Sequence, residues 1–192
     1  SLPVNSVREL VAYAKQNPGK VSFGSTGIGS NYHLGLLRFQ EMAGVDMVHV
    51  PYKGGQQTAA DLASGNLMVM FGATSPLPLV RAGKAKLIGV ATLKRHPMFP
   101  DTPTLDESGL AGFDMTGQYR LLVPMQTPES IKSALNRVLG AAAQAPEVIK
   151  AGAPSGYLPP PVLNTAELMK SVLVEHDRLE AIVRKANITL VD

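Results

Sequence analysis

The chain has 192 residues, a formal charge of +3 and a hydrophobic fraction of 45%, which together are typical of a globular protein with a sizeable core. Only 5% of the residues are aromatic and the basic residues are scattered, so a nucleic-acid-binding surface is not predicted. The lack of cysteine excludes disulfides, thiolate catalysis and cysteine-based metal sites, and no apolar run is long enough to span a membrane.

Strands and helices alternate through the first half of the sequence. A capping box formed by Ser6 and Glu9 predicts a helix that ends near Gln16. Strands are predicted at residues 20–24, 47–52, 67–71 and 86–92, and helices between them at residues 31–43, 56–64 and 76–82. The β-branched and aromatic content of the second strand is typical of a buried parallel strand. The alternation predicts a parallel sheet covered by helices.

The sequence beyond Arg95 is rich in proline and then mostly helical. A short helix is predicted at residues 105–108, with Thr104 and Glu107 as its capping box. Residues 113–123 are predicted to form one extended segment that crosses between two domains. Three helices are predicted to follow. The first begins at the cap Thr127 and ends near Ala143, the second begins at Pro146, and the third begins at the cap Thr165 and ends near Lys185. A strand is predicted at residues 188–191.

The most informative segment is residues 24–31, which read Gly-Ser-Thr-Gly-Ile-Gly-Ser-Asn between a predicted strand and a predicted helix. Glycines let the backbone turn its amides toward a ligand, the hydroxyls add donors, and the start of the next helix is positive. This combination favours a small anion such as a carboxylate. The glycine spacing matches neither the dinucleotide fingerprint nor a Walker A loop. The alternative interpretation is a tight turn with a serine cap.

Two further loops follow predicted strands and are expected at the same crevice, because ligands bind at the carboxyl ends of parallel strands. In the first, Tyr52 is a candidate to line a pocket and Lys53 to supply positive charge; an ordinary surface lysine on a glycine turn is the alternative. In the second, at residues 71–75, Thr74 or Ser75 either contacts a ligand or caps the next helix.

No catalytic or metal-binding constellation is recognised in the sequence. The histidines show no recognisable pairing with a serine, and a nucleophile-elbow motif is lacking. His33, beside the glycine-rich segment, is interpreted as a structural residue at a helix start. No group of histidine, aspartate and glutamate has the spacing of a known metal motif, and residues 175–180 are interpreted as a solvated helix face. Neither a metal nor a cofactor is predicted.

Short segments along the whole chain resemble, in their order and spacing, the Bug family, the TctC-like solute-binding receptors of tripartite tricarboxylate transporters. The segments that carry the resemblance are Ala14-Lys15, Pro18-Gly19-Lys20, residues 24–30 with His33-Leu34, Val50-Pro51-Tyr52-Lys53-Gly54, Asp61-Leu62, Gly65, Met70-Phe71, Ala82-Gly83-Lys84, Pro100-Asp101-Thr102-Pro103-Thr104, Gly109-Leu110, Pro124 and Thr127-Pro128.

The resemblance implies a periplasmic-binding-protein-like (type II) fold, in which two α/β lobes with parallel-rich sheets and flanking helices close over a ligand. Residues 1–117 would be the second, inserted lobe, and residues 118–192 the crossover segment and the C-terminal remainder of the first lobe. The N-terminal part of the first lobe, which in the family carries the export signal, is expected to be missing. The implied ligand-binding residues are Ser25, Thr26, Gly27, Gly29, Ser30, Tyr52, Lys53, Gly54, Gly72 and Thr74. The family often has an acidic residue at the position of Gly72, so no particular ligand is transferred.

The sequence therefore predicts a periplasmic receptor that is not an enzyme, binds a small organic acid in a cleft between lobes and delivers it to membrane transporter subunits. Two alternatives stay open. The first is the effector-binding region of a transcription regulator, which shares this type of fold and would need a DNA-binding segment upstream. The second is a hydrolase or transferase that uses Ser25 or Ser30, for which the sequence shows no general base.

Overall fold

The computed structural model describes residues 2–73, 75–117, 120–186 and 188. Its elements, in chain order, are α1 (Val7–Gln16), β1 (Ser22–Ser25), α2 (Asn31–Ala43), β2 (Val48–Pro51), α3 (Gly55–Ser64), β3 (Val69–Met70), α4 (Leu77–Arg81), α5 (Glu129–Ala143), α6 (Pro146–Gly152), a 3-10 turn (Ala153–Ser155) and α7 (Thr165–Lys185). The chain divides into two compact units, Ser1–Thr116 with Ile182–Asp192, and Gly117–Ala181. The sheet belongs to the first unit.

β1 is the central strand of a parallel sheet with the order β2-β1-β3. Ser25 at the end of β1 lies opposite Pro51 of β2, and Gly24 lies opposite Met70 of β3. α2 connects β1 to β2 and α3 connects β2 to β3, which are the helical crossovers that parallel strands need. The predicted parallel sheet flanked by helices is confirmed.

The core of the first unit lies between α1, β1 and α2. Along α1, Val7, Leu10 and Ala14 are buried at the three- and four-residue spacing that puts side chains on one helix face. Phe23 of β1 and Phe113 are almost completely buried. Phe71 contacts both rings, at centroid distances of 5.0 and 6.0 Å respectively. This aromatic cluster anchors the sheet whose ends carry the candidate loops.

Local capping bonds fix where α1 begins. The Oγ of Ser6 accepts a hydrogen bond from the amide of Glu9 at 3.1 Å. The Glu9 carboxylate in turn accepts one from the amide of Asn5 at 2.7 Å. Because each bond satisfies a backbone donor that the helix cannot, the capping box predicted from the sequence is confirmed, with Asn5 as the reciprocal donor.

The prediction of a strand at residues 86–92 is wrong, because these residues form a loop with a single bridge at Val90. Val90 donates a hydrogen bond to the carbonyl of Pro103, and Leu105 donates one to the carbonyl of Val90, both at 3.0 Å. These bonds form an isolated bridge between Val90 and Thr104. The second predicted strand also differs, since β2 lies at the sheet edge and Val48 is 46% exposed rather than buried.

One further local prediction needs correction. Thr104 and Glu107 exchange the two bonds of a capping box, at 2.8 and 2.9 Å, but the box closes a hydrogen-bonded turn and not a helix. The part of residues 113–123 that the structure describes pairs with no strand, and its role as an extended crossover stays a prediction.

The caps of two later helices are displaced by one residue. Pro128, not Thr127, precedes α5 as the cap, and its side chain makes no capping bond. Asn164 and Glu167 exchange bonds of 2.9 Å at the start of α7, so Asn164 takes the role predicted for Thr165. A predicted strand at residues 188–191 lies, apart from Ile188, outside the described residues.

The second unit contains α5, α6 and most of α7, and these helices leave apolar side chains in contact with solvent. Within the described part of the chain, no residue of the three helices is buried. Their exposed apolar side chains are Ile131, Val138, Leu139, Val148, Met169, Leu173 and Val174. A helix usually gains most of its stability by burying an apolar face, so these faces lack the burial that a complete core supplies.

Within the residues that the structure describes, none of the helices combines the length and the apolar character that crossing a membrane requires.

Candidate ligand-binding loops

Three loops meet at the carboxyl edge of the sheet. The register places Pro51 beside Ser25, and the amide of Tyr52 donates to the carbonyl of Ser25 at 2.9 Å, which holds the second loop against the first. The pairing of Gly24 with Met70 brings the third loop, which begins at Phe71, to the other side of the first. Since parallel strands end at one edge, the segments predicted to form a common crevice wall lie side by side.

The first loop, residues 26–30, is folded back on itself by internal hydrogen bonds. Gly27 and Gly29 have φ angles of 124° and 76°, which side chains other than glycine rarely adopt. The amide of Gly27 donates to the Oγ of Ser25 at 3.2 Å, and the Oγ of Ser30 donates to the carbonyl of Gly27 at 2.8 Å. The Oγ of Ser30 also accepts from the amide of His33 and caps α2. The loop shape is thus built by the residues predicted to bind the ligand.

Two histidines stack beneath this loop. The rings of His33 and His49 lie 3.9 Å apart between centroids and 12° from parallel. The Nε2 of His49 lies 2.6 Å from the Oγ of Ser25, and the Nδ1 of His33 accepts from the amide of Gly29 at 3.1 Å. Burial lowers the pKa of His33, and burial together with the neighbouring His33 lowers the pKa of His49 to about 4. Both rings are therefore neutral near pH 7.

Ser25 and His49 form a serine–histidine pair that the sequence did not predict. The arrangement is poorly suited to nucleophilic catalysis. Ser25 is only 1% exposed, so a substrate carbonyl cannot approach its Oγ. A histidine with a pKa of about 4 is also a weak base near neutral pH. The contact instead ties the end of β1 to β2.

The second loop contains one framework residue and one exposed charge. The Tyr52 hydroxyl donates to a carboxylate oxygen of Asp61 at 2.9 Å, and partial burial and that carboxylate raise the pKa of Tyr52. Its ring lies against Gly24, where an added Cβ would come within 3.2 Å of Tyr52 Cε2. Lys53 is exposed, and the carbonyl of Gly54 accepts from the amide and the hydroxyl of Thr58. The charge of Lys53 is thus the feature of this loop that is available to a ligand.

The third loop is shaped by a close contact at Gly72. A Cβ added to Gly72 would lie 2.6 Å from Cγ of Pro76, so a larger residue would displace the start of α4. Ser75 lies near Gly55 at the start of α3, with its Oγ 3.3 Å from the position of an added Cβ there. Thr74 lies outside the described residues.

The structure thus brings the described members of the predicted set to one sheet edge, and their role in binding stays a prediction. His49 was not among the predicted site residues, although it contacts Ser25 from β2 and so helps to hold the first loop. Its signal in the sequence was weak, because 24 residues separate it from Ser25.

A cluster of His176, Asp177 and Glu180 on α7 places three potential metal ligands within 4.8 Å of one another. All three residues are exposed, and exposed acidic groups on one helix face are common in proteins without metals. The cluster is consistent with the solvated helix face expected for this segment.

Comparison with known proteins decides the family. The model of the tripartite tricarboxylate transporter family receptor, TctC, matches residues 1–188. The chain belongs to this Bug/TctC-like family. The family and the structural neighbours are solute-binding receptors, not enzymes, and the predictions of a Bug/TctC-like family and of a protein that is not an enzyme are confirmed.

Individual relatives agree in sequence and in fold. A UPF0065 protein in the tcbD-tcbE intergenic region of Pseudomonas sp. strain P51 is 35% identical over 147 residues, which are 76% of this chain and 44% of that protein. An R. palustris structure with adipate is 30% identical with a TM-score of 0.81, and the match covers 100% of this chain and 64% of that one. The periplasmic binding protein BugD is 29% identical with a TM-score of 0.72, over 98% of this chain and 64% of that one. The chain thus spans about half the length of such a curated relative.

Proposed function

We propose that this chain is the larger part of a periplasmic receptor that captures a small carboxylate-bearing metabolite and presents it to the membrane subunits of a tripartite tricarboxylate transporter. The observation that carries the proposal is the meeting of three loops at one sheet edge, with a glycine-rich loop in front of α2, in a member of this receptor family. The adipate in a structure 30% identical to this chain supports a dicarboxylate as the ligand class.

The chemistry of the edge suits a carboxylate. The first turn of α2 leaves backbone amides without an acceptor inside the helix, and its positive end favours an anion. Thr26 is partly exposed, and within the described part of the chain its hydroxyl has no hydrogen-bond partner. Lys53 adds an exposed positive charge to the neighbouring loop. We therefore place the carboxylate at Thr26 and the start of α2, with Lys53 beside it and Tyr52, Gly54 and Gly72 shaping the wall.

The lobes that we propose keep the boundaries predicted from the sequence, which differ from those of the two compact units mainly in the assignment of residues 182–192. Residues 1–117 form the second lobe, and residues 118–192 form the crossover segment and the remainder of the first. The lack of buried residues in α5, α6 and α7, within the described part, supports a first lobe whose core includes further polypeptide. In a receptor of this kind, closure follows from ligand contacts that both lobes make only in the closed state.

A thermal-shift screen of mono- and dicarboxylates, including adipate, tests the proposal. A ligand present at 100 times its dissociation constant adds about 2.7 kcal/mol to the free energy of unfolding, which a melting curve registers. For a ligand that binds, calorimetry is then repeated with Thr26→Val, which replaces the hydroxyl with a methyl group of similar size, and with Lys53→Gln.

Each replacement is expected to weaken binding about tenfold, since a hydrogen bond to a charged group contributes about 1.5 kcal/mol or more. Lys20→Gln is the matched control, because Lys20 is an exposed lysine that precedes β1, at the opposite edge of the sheet. Equal losses in Lys20→Gln and Lys53→Gln would show a general charge effect and contradict the site. The lack of any shift across the panel would contradict the receptor function.

A further inference from the structure

The glycine-rich loop is held by a continuous set of contacts that runs through the two histidines. The amide of Gly29 donates to the Nδ1 of His33 at 3.1 Å, so that nitrogen carries no proton and the ring proton of His33 is on Nε2. The His33 ring stacks on His49, whose Nε2 lies 2.6 Å from the Oγ of Ser25. Ser25 in turn accepts from the amide of Gly27 at 3.2 Å. The two ends of the loop are thus joined through the imidazole pair.

These contacts decide which backbone donors remain for a ligand. The amides of Gly27 and Gly29 are engaged by Ser25 and His33, and the amide of Ser30 donates to the carbonyl of Gly27. The two remaining loop amides, those of Thr26 and Ile28, have no partner within the described residues. Ile28 is 62% exposed, so this part of the loop faces solvent. Along the loop, the amides of Gly27 and Gly29 are therefore bonded within the protein, whereas those of Thr26 and Ile28 are available to a ligand.

The His33–His49 pair keeps its contacts only when both rings are neutral and His33 is in its present tautomer. A proton on the Nδ1 of His33 would remove the acceptor of the Gly29 amide. A charge on either ring would face the other ring across 3.9 Å. The titratable group that faces His49 is His33, and no carboxylate within the described residues contributes to the lowered pKa of either ring.

We propose that His33 and His49 are positioning residues of the carboxylate-binding loop: as neutral stacked rings they hold Ser25 and Gly29 and so leave the amides of Thr26 and Ile28 for the ligand. The identity of the ligand in this inference rests on the proposed function, whereas the effect of the histidines on the loop geometry does not. It assigns the two histidines an indirect role, in which neither ring touches the bound carboxylate.

Two replacements of His33 separate positioning from simple packing. His33→Asn places an amide oxygen where Nδ1 lies, keeps an acceptor for Gly29 and cannot titrate. His33→Leu fills similar space without an acceptor. In His33→Leu we expect hydrogen exchange of the Gly27 and Gly29 amides to rise about tenfold or more, which corresponds to the loss of about one hydrogen bond. In His33→Asn the protection of Gly29 is expected to return.

Nuclear magnetic resonance of the unmodified full chain provides a test that needs no variant. The nitrogen shifts of His33 should report the Nε2–H tautomer at pH 7, and acidification should shift the Gly27 and Gly29 amides together with His33. A His33 that is protonated on Nδ1 at pH 7, or loop amides that ignore the titration, would overturn the inference. Unchanged Gly27 and Gly29 exchange in a folded His33→Leu would do the same.

Adipate titrations of the same proteins link the loop to binding. Weaker binding in His33→Leu that His33→Asn restores, with the part of the pH dependence that follows the titration of His33 lost in His33→Asn, is the expected result. If the loop amides respond as expected and no protein binds any carboxylate, the positioning role stands and the proposed function fails. If binding is lost in both variants while the loop amides stay protected, the positioning role is wrong and the histidines act on the ligand directly.

Discussion

Acidification should destabilise the fold through the His33–His49 pair, and the size of the effect follows from the structure. An unfolded histidine has a pKa near 6.5, whereas burial and His33 lower the pKa of His49 to about 4 in the folded protein. Between these two values the unfolded state binds more protons than the folded state. The contribution of His49 is therefore fully present above pH 6.5, and it is lost as the pH falls toward 4.

The difference between a pKa of 6.5 and one of about 4 corresponds to at most about 3 kcal/mol, at about 1.4 kcal/mol for each tenfold change in proton affinity. His49 is only partly buried, and solvent screening reduces such energies. A loss of about 2 kcal/mol in the free energy of unfolding is expected between pH 7.5 and pH 4.5.

Urea unfolding followed by circular dichroism between pH 4.5 and pH 8 measures this loss in the wild type and in His49→Gln. A glutamine reaches to the position of Nε2 and can still bond to Ser25, but it does not titrate. Groups present in both proteins, such as Glu107 with its lowered pKa, cancel in the difference. The wild-type advantage should shrink by the expected amount as the pH falls. Parallel stability curves for the two proteins would refute the burial argument.

Three further predictions concern packing and capping. Gly24→Ala should cost about 1–3 kcal/mol in urea unfolding, because its Cβ would lie 2.5 Å from Leu67 Cδ2, whereas Gly54→Ala should be nearly neutral because the space there is open. Ser6→Ala should cost about 1 kcal/mol by removing the cap of α1, and equal stability would show that the cap contributes nothing. Phe23→Ala should cost about 3–5 kcal/mol, while Leu173→Gln, at an exposed site, should change stability by less than about 0.5 kcal/mol; similar losses would contradict the burial difference.

Much of the candidate site could be predicted, because the strand-to-helix turns are local features. The glycine-rich segment was placed between β1 and α2, and the rule for parallel sheets brought residues 52–54 and 71–75 to the same edge. What could not be predicted is the direction of individual groups. The Tyr52 hydroxyl donates to Asp61, and the amides of Gly27 and Gly29 turn inward to side chains of the loop and of the helix after it. These directions depend on the folded shape of each loop, which the residue pattern does not specify.

The sequence by itself determined those helices whose ends are set by neighbours in the chain. The bounds of α2 were predicted without error, since Ser30 caps its start and Gly44, with a φ of 62°, ends it. Tertiary structure alone decided the pairing of Val90 with Thr104 and the contact of His49 with Ser25. Those contacts join segments far apart in the chain, and their formation depends on burial and on competition among backbone partners that no local pattern encodes.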